Sequence, residues 1–497
     1  YLKTRYIALA SVISVTLGVA TLIIVNSVMA GFTHEMNNRL NGMLSDIVIE
    51  GPDLLMGFQG SKYYCDEIRE LLGDDLEQFT TTVHVPAMLT ADINGYIYTR
   101  QMTVIGIDVE TYAEVSDFAK YVLHPENRDQ LSFLLRDQPY EDKDRPGLPE
   151  GSAWDYRRRR ADWIEAMRDQ TMPSADAVQV EEAGPVDPYA NTLSEAVTFD
   201  PKKDQHPGII LGIGIASQRK RVEDENGIEQ VIDQFLLRPG DDLQLTFPTA
   251  GSPPRAETSP FTVVDFYESK MSEYDFSFAF VRQEDLQRLR GMISSEGAAV
   301  TSIQLKLAEG ADLLAVRDKL QSHFPPDAVP YFRIQTWMDM QAPLLSAVKL
   351  ETTLLNILLF LIIAVAGFGI LATFFMIVVE KTRDIGVLKS LGAPSTGVMS
   401  IFLSYGLSLG IVGSGVGMIL GLIFVAYINN VAAVIERVTG QPVFDPTVYY
   451  FSEIPTITHP STVIYVVLGA TLIAVMASVL PAIRAARLHP VEALRYE

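Results

Sequence analysis

The chain has 497 residues, of which 48% are hydrophobic and 20% charged, with a formal net charge of −22 and a single cysteine. An acidic field of this size repels phosphate backbones and argues against DNA or RNA as a ligand. One cysteine, Cys65, excludes an internal disulfide, so each folded part must rest on its own apolar core.

The apolar residues gather into four segments. Asp, Glu, Lys and Arg are absent from Tyr6–Thr33, from Thr352–Val379, from Ala393 up to Glu436, and from the residue after Glu453 to Ile483. A helix needs about 20 residues to cross a hydrocarbon core of roughly 30 Å. Ile7–Ala30, Leu354–Val379, Val398–Ile428 and Val463–Ile483 all meet that length. The first exceeds a secretory signal and continues into Gly31-Phe32-Thr33-His34 with no small-residue cleavage site, so it reads as a retained anchor. The sequence opens on Tyr1 and not on methionine, from which further residues upstream are expected.

Short loops rich in Lys and Arg favour the cytoplasm. Lys3 and Arg5, then Lys381, Arg383 and Lys389, then Arg484, Arg487 and Arg495 fall on one side if each segment crosses once. Both termini are therefore expected in the cytoplasm and residues 31–351 outside it. That stretch holds 54 acidic and 30 basic residues, so it accounts for all of the excess negative charge.

After the first span, Phe32, Met36, Leu40, Met43 and Leu44 continue the helix with one apolar stripe. Ser45–Glu50 alternates as a strand, Lys62–Leu72 reads as a helix, and Phe79–Asp92 with Thr103–Ile107 read as strands around the turn Asn94-Gly95. From about 113 to 206 the periodicity fades, prolines and charges accumulate, and Arg157–Arg160 form a basic run. This reads as an insertion, partly disordered and peripheral, whose removal over about 125–200 should leave assembly intact. Order returns with strands Gly208–Ser217, Val231–Leu237, Leu243–Phe247, Phe261–Phe266 and Ser277–Val281, helix Glu284–Met292, strand Ser302–Leu307, helix Leu313–His323 and strand Tyr331–Gln335. A helix over Trp337–Glu351 leads back to the membrane, so two helices are expected to form a stalk. The fold class is a membrane protein with four transmembrane α-helices and a large α+β extracytoplasmic domain between the first and second. The domains divide as 1–31, 32–351 and 352–497.

The third span carries Gly406, Gly410, Gly413, Gly417 and Gly421, small residues that let helix backbones approach. With no ionisable residue in any span, no ion or proton path is expected. The phosphate-cradling pattern G-x-x-x-x-G-K-[ST] is absent, Gly212-Ile213-Gly214 reads as an apolar strand, and the seven histidines show no metal-ligand spacing. The chain is thus expected to bind no cofactor or metal and to have no enzymatic activity of its own.

Between the second and third spans runs Glu380-Lys381-Thr382-Arg383-Asp384-Ile385-Gly386-Val387-Leu388-Lys389-Ser390-Leu391-Gly392-Ala393. Ile385, Leu388 and Leu391 with charged flanks suit a short amphipathic helix at the membrane surface, able to seat in a partner's groove. This segment, and the terminal run Pro481-Ala482-Ile483-Arg484-Ala485-Ala486-Arg487-Leu488-His489-Pro490-Val491-Glu492-Ala493-Leu494-Arg495-Tyr496-Glu497, resemble the signatures of the FtsX-like (MacB-type) ABC transporter permease superfamily. Leu17-Gly18-Val19-Ala20, Ser27-Val28-Met29-Ala30-Gly31-Phe32, Trp337, Gln341, Leu344, Leu345 and Leu350-Glu351 resemble its LolC/LolE lipoprotein-releasing group. The resemblance covers roughly 1–110 and 208–497.

What the resemblance implies is a permease subunit in the bacterial inner membrane that works with a second permease copy or paralogue and a separate nucleotide-binding ATPase, which binds the ATP and Mg. Its coupling residues would be Glu380, Lys381, Arg383, Asp384, Ile385, Gly386, Leu388, Leu391 and Gly392. A lipoprotein would be extracted from the membrane and passed to a periplasmic carrier by mechanical movement of the outer domain. Val15, Leu22 and Val25 on the first span, with Leu358, Ile362 and Val365 on the second, form two apolar stripes expected to face a shared lipid cavity. The alternatives are a transducer that activates an extracytoplasmic hydrolase, or a MacB-like efflux permease.

Overall fold

The computed structural model describes residues 2–489 except 44, 54, 94, 141–147, 149–151, 172–198, 224–228, 270, 296, 326–330 and 440–453. It divides into two compact units, Tyr1–Asn38 with Gln341–Glu497, and Arg39–Met340. Helix α1 (Leu2–Met43) opens the chain without a proline or a break.

The second unit begins with β1 (Ile47–Glu50), α2 (Ser61–Leu72), β2 (Leu76–Ile93) and β3 (Tyr96–Ile107). Helices α3 (Val109–Val115), α4 (Phe118–Tyr121), α5 (Pro125–Asp129) and α6 (Ala153–Thr171) follow. Next come β4 (Gly208–Gly212), the one-turn helix α7 (Ile213–Ala216), the hairpin β5 (Ser217–Glu223) and β6 (Glu229–Phe235), β7 (Asp242–Pro248) and β8 (Ala256–Tyr267). Helix α8 (Ser272–Ser277), β9 (Phe278–Arg282), α9 (Gln283–Arg290) and the small hairpin β10 (Ile293–Ser294) and β11 (Gly297–Ala298) lead on. The unit closes with β12 (Ser302–Leu307), α10 (Leu313–His323), β13 (Arg333–Thr336) and α11 (Trp337–Met340).

Strand β2 organises this unit. Val83, Val85, Ala87, Leu89 and Ala91 are buried while Met88 between them is exposed, the period-two pattern of a strand with one apolar face. The strands run in the order β2-β3-β9-β4-β8-β7, and Met88–Thr90 of β2 pair again with β7, which closes six strands into a ring. Leu211, Leu243, Leu245, Phe261, Val263 and Val281 join the β2 residues in one apolar cluster. The beginning of β2 pairs instead with β12, beyond which lie β1 and β13. Helices α2 and α10 bring Ile68, Leu72, Val316 and Leu320 against Ile47, Ile49, Ile303 and Ile334 of that part.

The region expected to be a peripheral insertion is, where described, built into the core. Phe118 is fully buried, 4.0 Å between ring centroids from Phe280. Asp265 on β8, also fully buried, accepts hydrogen bonds from the His124 backbone N–H at 3.3 Å, from Asn127 Nδ2 and from the Tyr140 hydroxyl. Burial is the largest influence on its carboxyl and raises the pKa, and the Tyr140 and Asn127 donors oppose it. The basic run is split between interior and solvent: Arg157 is buried and pairs with Asp242 Oδ1 at 2.7 Å, Arg160 pairs with Asp241, and Arg158 and Arg159 are exposed. Weak periodicity here reflects one-turn helices and irregular segments, such as residues 131–135, that contribute a few core groups each.

Two further expectations change. The strand expected over Gly208–Ser217 stops at Gly212 because α8 packs against it: a Cβ there would lie 2.3 Å from the Asp275 carbonyl oxygen. The helix expected over Trp337–Glu351 divides at Gln341, since Pro343 fits only the first turn of the helix that follows.

The first unit contains α1, α12 (Ala342–Glu380), α13 (Thr382–Ser390), α14 (Ser395–Ala426), α15 (Ile428–Thr439) and α16 (Pro460–Ala486). Helices α1, α12, α14 and α16 are long and apolar enough to cross a membrane. The glycines of α14 serve two partners. A Cβ on Gly406 or Gly410 would press on Ser478 and Ala474 of α16, whereas one on Gly413, Gly417 or Gly421 would press on Val15, Thr16 or Ala20 of α1. The backbones are close enough for the Thr16 hydroxyl to donate to the Gly413 carbonyl at 3.1 Å.

Gly417→Val should therefore separate α1 from α14, because even its Cβ would lie 2.6 Å from the Thr16 carbonyl oxygen. Overpacking of this kind costs about 1–3 kcal/mol, visible as a lowered Tm in detergent. Gly415→Val, with nothing within 4 Å of its Cβ, is the control and should melt as the parent does.

Candidate functional site

Helix α13 joins α12 to α14 at one end of the bundle. Helix α12 ends at Glu380, one residue separates it from α13, and that residue, Lys381, pairs through Nζ with Asp384 Oδ2 at 2.8 Å across the junction. The Thr382 hydroxyl donates back to the Val378 carbonyl at 2.9 Å. At the far end the Gly392 N–H donates to the Lys389 carbonyl and the Ala393 N–H to the Leu388 carbonyl, both at 3.1 Å. This paired arrangement caps a helix when the residue past its end is left-handed, and Gly392, at φ +96°, supplies that conformation without strain.

The two faces of α13 differ. Thr382, Ile385 and Gly386 are buried, and Ile385, only 4% exposed, belongs to the bundle's apolar cluster with Phe374, Val398, Ala482 and Ala485. Lys389 reaches from the same helix to the end of α16, where Nζ donates to the carbonyls of Ala486 at 2.7 Å and Leu488 at 2.8 Å. A cation there satisfies carbonyls that the helix end leaves unpaired and complements its partial negative charge. Glu380, Arg383 and Asp384 are exposed, and Val387, Leu388 (45%) and Leu391 (81%) form an exposed apolar patch.

The patch corrects the expected stripe. Leu388 and Leu391 are available to a partner; Ile385 is not. Val387 takes its place, and Lys389 emerges as the contact that ties α13 to α16. Spacing of three did not distinguish the two faces, because a nine-residue helix with apolar groups at 385, 387 and 388 and a further one just past its end at 391 offers two possible stripes. The last eight residues of the terminal run lie outside the described residues.

The six residues expected to share a lipid cavity are not brought together within the chain. Val15 packs in the main bundle cluster, and Leu22 and Val25 pack with Leu359 and Ile363 of α12. Leu358, Ile362 and Val365 are exposed on another side of α12. At the opposite end of the bundle from α13, a cavity of about 360 Å³ is lined by Asn26, Ser27, His34, Thr352, His459 and Thr462, among others. Its wall includes a short extended segment that crosses α1, where the Ile457 N–H donates to the Ser27 carbonyl at 2.9 Å and a Cβ on Gly31 would meet the Pro455 carbonyl oxygen.

Residues 356–490 match the family model described as FtsX-like permease C-terminal. The lipoprotein-releasing system transmembrane protein LolC of Neisseria meningitidis serogroup B is 30% identical over 298 residues, 59% of this chain and 67% of that protein. The chain belongs to the FtsX-like permease family. LolC of Xylella fastidiosa is 33% identical over 247 residues, which cover 50% of this chain and 57% of the relative's length. LolE of Haemophilus influenzae is 28% identical over 298 residues, 59% of this chain and 65% of that protein. The family match contains the whole of α12 from Asn356 onward, α13, α14 and α16, and so includes the exposed patch of this permease.

Proposed function

We propose that this permease is the membrane-spanning, non-catalytic subunit of an ABC transporter in the bacterial inner membrane. A separate ATPase subunit binds the ATP and Mg, docks on Val387, Leu388 and Leu391, and moves α13. The observation that carries this reading is an apolar patch on a helix that is itself fixed to the bundle: Ile385 is buried among the spans and Lys389 holds the end of α16. A push on such a helix passes to the spans and is not lost in a loose loop. Both termini face the cytoplasm and the unit Arg39–Met340 lies outside it, in line with the Lys and Arg of the short loops.

The substrate is an acylated protein, by likeness to LolC and LolE, delivered to a soluble periplasmic carrier. Each methylene buried in the bilayer holds the anchor by about 0.8 kcal/mol, so withdrawal of acyl chains requires coupled energy. Leu358, Ile362 and Val365 are among the exposed apolar residues of α12 and are the ones assigned to receive those chains. A second permease copy or paralogue supplies the other wall.

A photo-crosslinker at Ile362, in vesicles holding the permease, its partner permease and the ATPase, should capture an acylated lipoprotein without nucleotide and lose it on addition of ATP. Crosslinks to the partner permease alone, in every nucleotide state, would overturn the lipid route. Failure of the permease to assemble with the ATPase would overturn the wider reading.

A further inference from the structure

Helix α15 follows α14 after a single residue, and its side chains are half-buried or exposed. Val431, Val434, Ile435 and Val438 recur at intervals of three, four and seven, the spacing of one helical stripe. Asn429, Asn430, Glu436 and Arg437 lie on the opposite side, with Ala433 among them. No residue of α15 is buried, with Val434 57% and Val438 82% exposed.

What covers the stripe follows from where the helix starts. The last turns of α14, a helix apolar enough to span a membrane, leave Ile423 and Phe424 exposed, and Tyr427 is the sole residue between the two helices. Tyrosine is a residue type that gathers at the boundary between hydrocarbon and water. The helix is also kept near that boundary: Asn429 Oδ1 accepts the Ile454 N–H at 2.8 Å, and Ile457, three residues on, is bonded to Ser27 of α1. Glu436 and Arg437 cancel, so the polar side offers no net charge to anionic headgroups.

We propose that α15 lies in the plane of the membrane surface, with Val431, Val434, Ile435 and Val438 inserted among the acyl chains of the leaflet where α14 emerges. A helix with one apolar face and low overall hydrophobicity takes this position by burying that face just below the headgroups. It would fix the height of the outer end of the bundle while the opposite end is moved.

The test places a spin label at single cysteines, Val434→Cys, Val438→Cys, Asn430→Cys and Arg437→Cys, in the full chain held in phosphatidylcholine nanodiscs. All four positions are exposed, so folding is not at stake. Cys65 is buried and its thiol is pushed up to about 12 by burial, so it stays unlabelled. Collision with oxygen, which concentrates in lipid, should rise at 434 and 438 while collision with a water-soluble nickel chelate falls; 430 and 437 should show the reverse. Added phosphatidylglycerol should leave this pattern unchanged. Equal nickel access at all four positions would overturn the proposal, as would shielding of 434 and 438 from both reagents, which would mean a protein partner. A pattern that depends on anionic lipid would replace acyl insertion by headgroup binding. No arm uses ATP or a transported substrate, so the result is separate from the fate of the transport reading.

Discussion

Leu388→Asp is expected to abolish coupling to the ATPase while leaving the membrane bundle folded. Leu388 is exposed, so the substitution should change stability by less than about 0.5 kcal/mol, as for surface positions in general. At an interface centre the loss of an apolar anchor costs about 2 kcal/mol or more, which corresponds to roughly a thirtyfold loss of affinity. A buried carboxylate would add its desolvation. Co-purification of the ATPase should therefore collapse while the Tm in detergent stays that of the parent. Ile385→Asp, three residues away, should behave differently, because it places a charge among Phe374, Val398 and Ala482 and so lowers the Tm as well. Lys389→Met falls between them, with assembly retained but hydrolysis no longer answering to substrate, and Lys389→Arg should recover part of the response. Normal co-purification and normal substrate-stimulated hydrolysis in Leu388→Asp would remove the patch as the docking surface.

Deletion of residues 125–200, bridged by a short Gly/Ser linker, should unfold the unit Arg39–Met340. The segment supplies Leu131, Phe133 and Leu135 to the interior, all buried. At about 1.5–3 kcal/mol for each buried side chain, those three alone contribute about 5–9 kcal/mol, comparable with the net stability of a domain, about 5–15 kcal/mol. The same cut removes the Asn127 and Tyr140 donors from Asp265 and the Arg160 partner from Asp241, leaving two buried carboxylates short of partners. Limited proteolysis of the full chain in detergent should show the protected fragment of this unit disappear. Asp265→Asn, which keeps the shape but replaces one of the two accepting oxygens by an NH2 group, should give a milder loss of protection. Survival of the fragment in the deletion variant would show that the six-strand ring stands without this region.

Whatever depended on composition over a long window could be read from the sequence. Four uncharged runs of more than 20 residues leave little alternative to spanning helices, because no other structure of a single segment satisfies its backbone in lipid. Strand-like runs bounded by turn residues revealed β2, β7, β8 and β12, and apolar residues with charged flanks revealed a short helix at α13. What required the fold was every choice among equivalent faces. Ile385 and Leu388 are alike in chemistry, and only the approach of α14 and α16 decides that the first is buried and the second free. The same holds for Leu358, Ile362 and Val365 against Leu359 and Ile363 on an α12 that is apolar all round, where no hydrophobic contrast marks a side. The split of the α14 glycines between α1 and α16, and the pairing of Asp265 with residues 138 and 125 positions earlier, arise from contacts remote in sequence. Local periodicity records how polar one side of an element is, whereas tertiary packing determines which neighbour it meets.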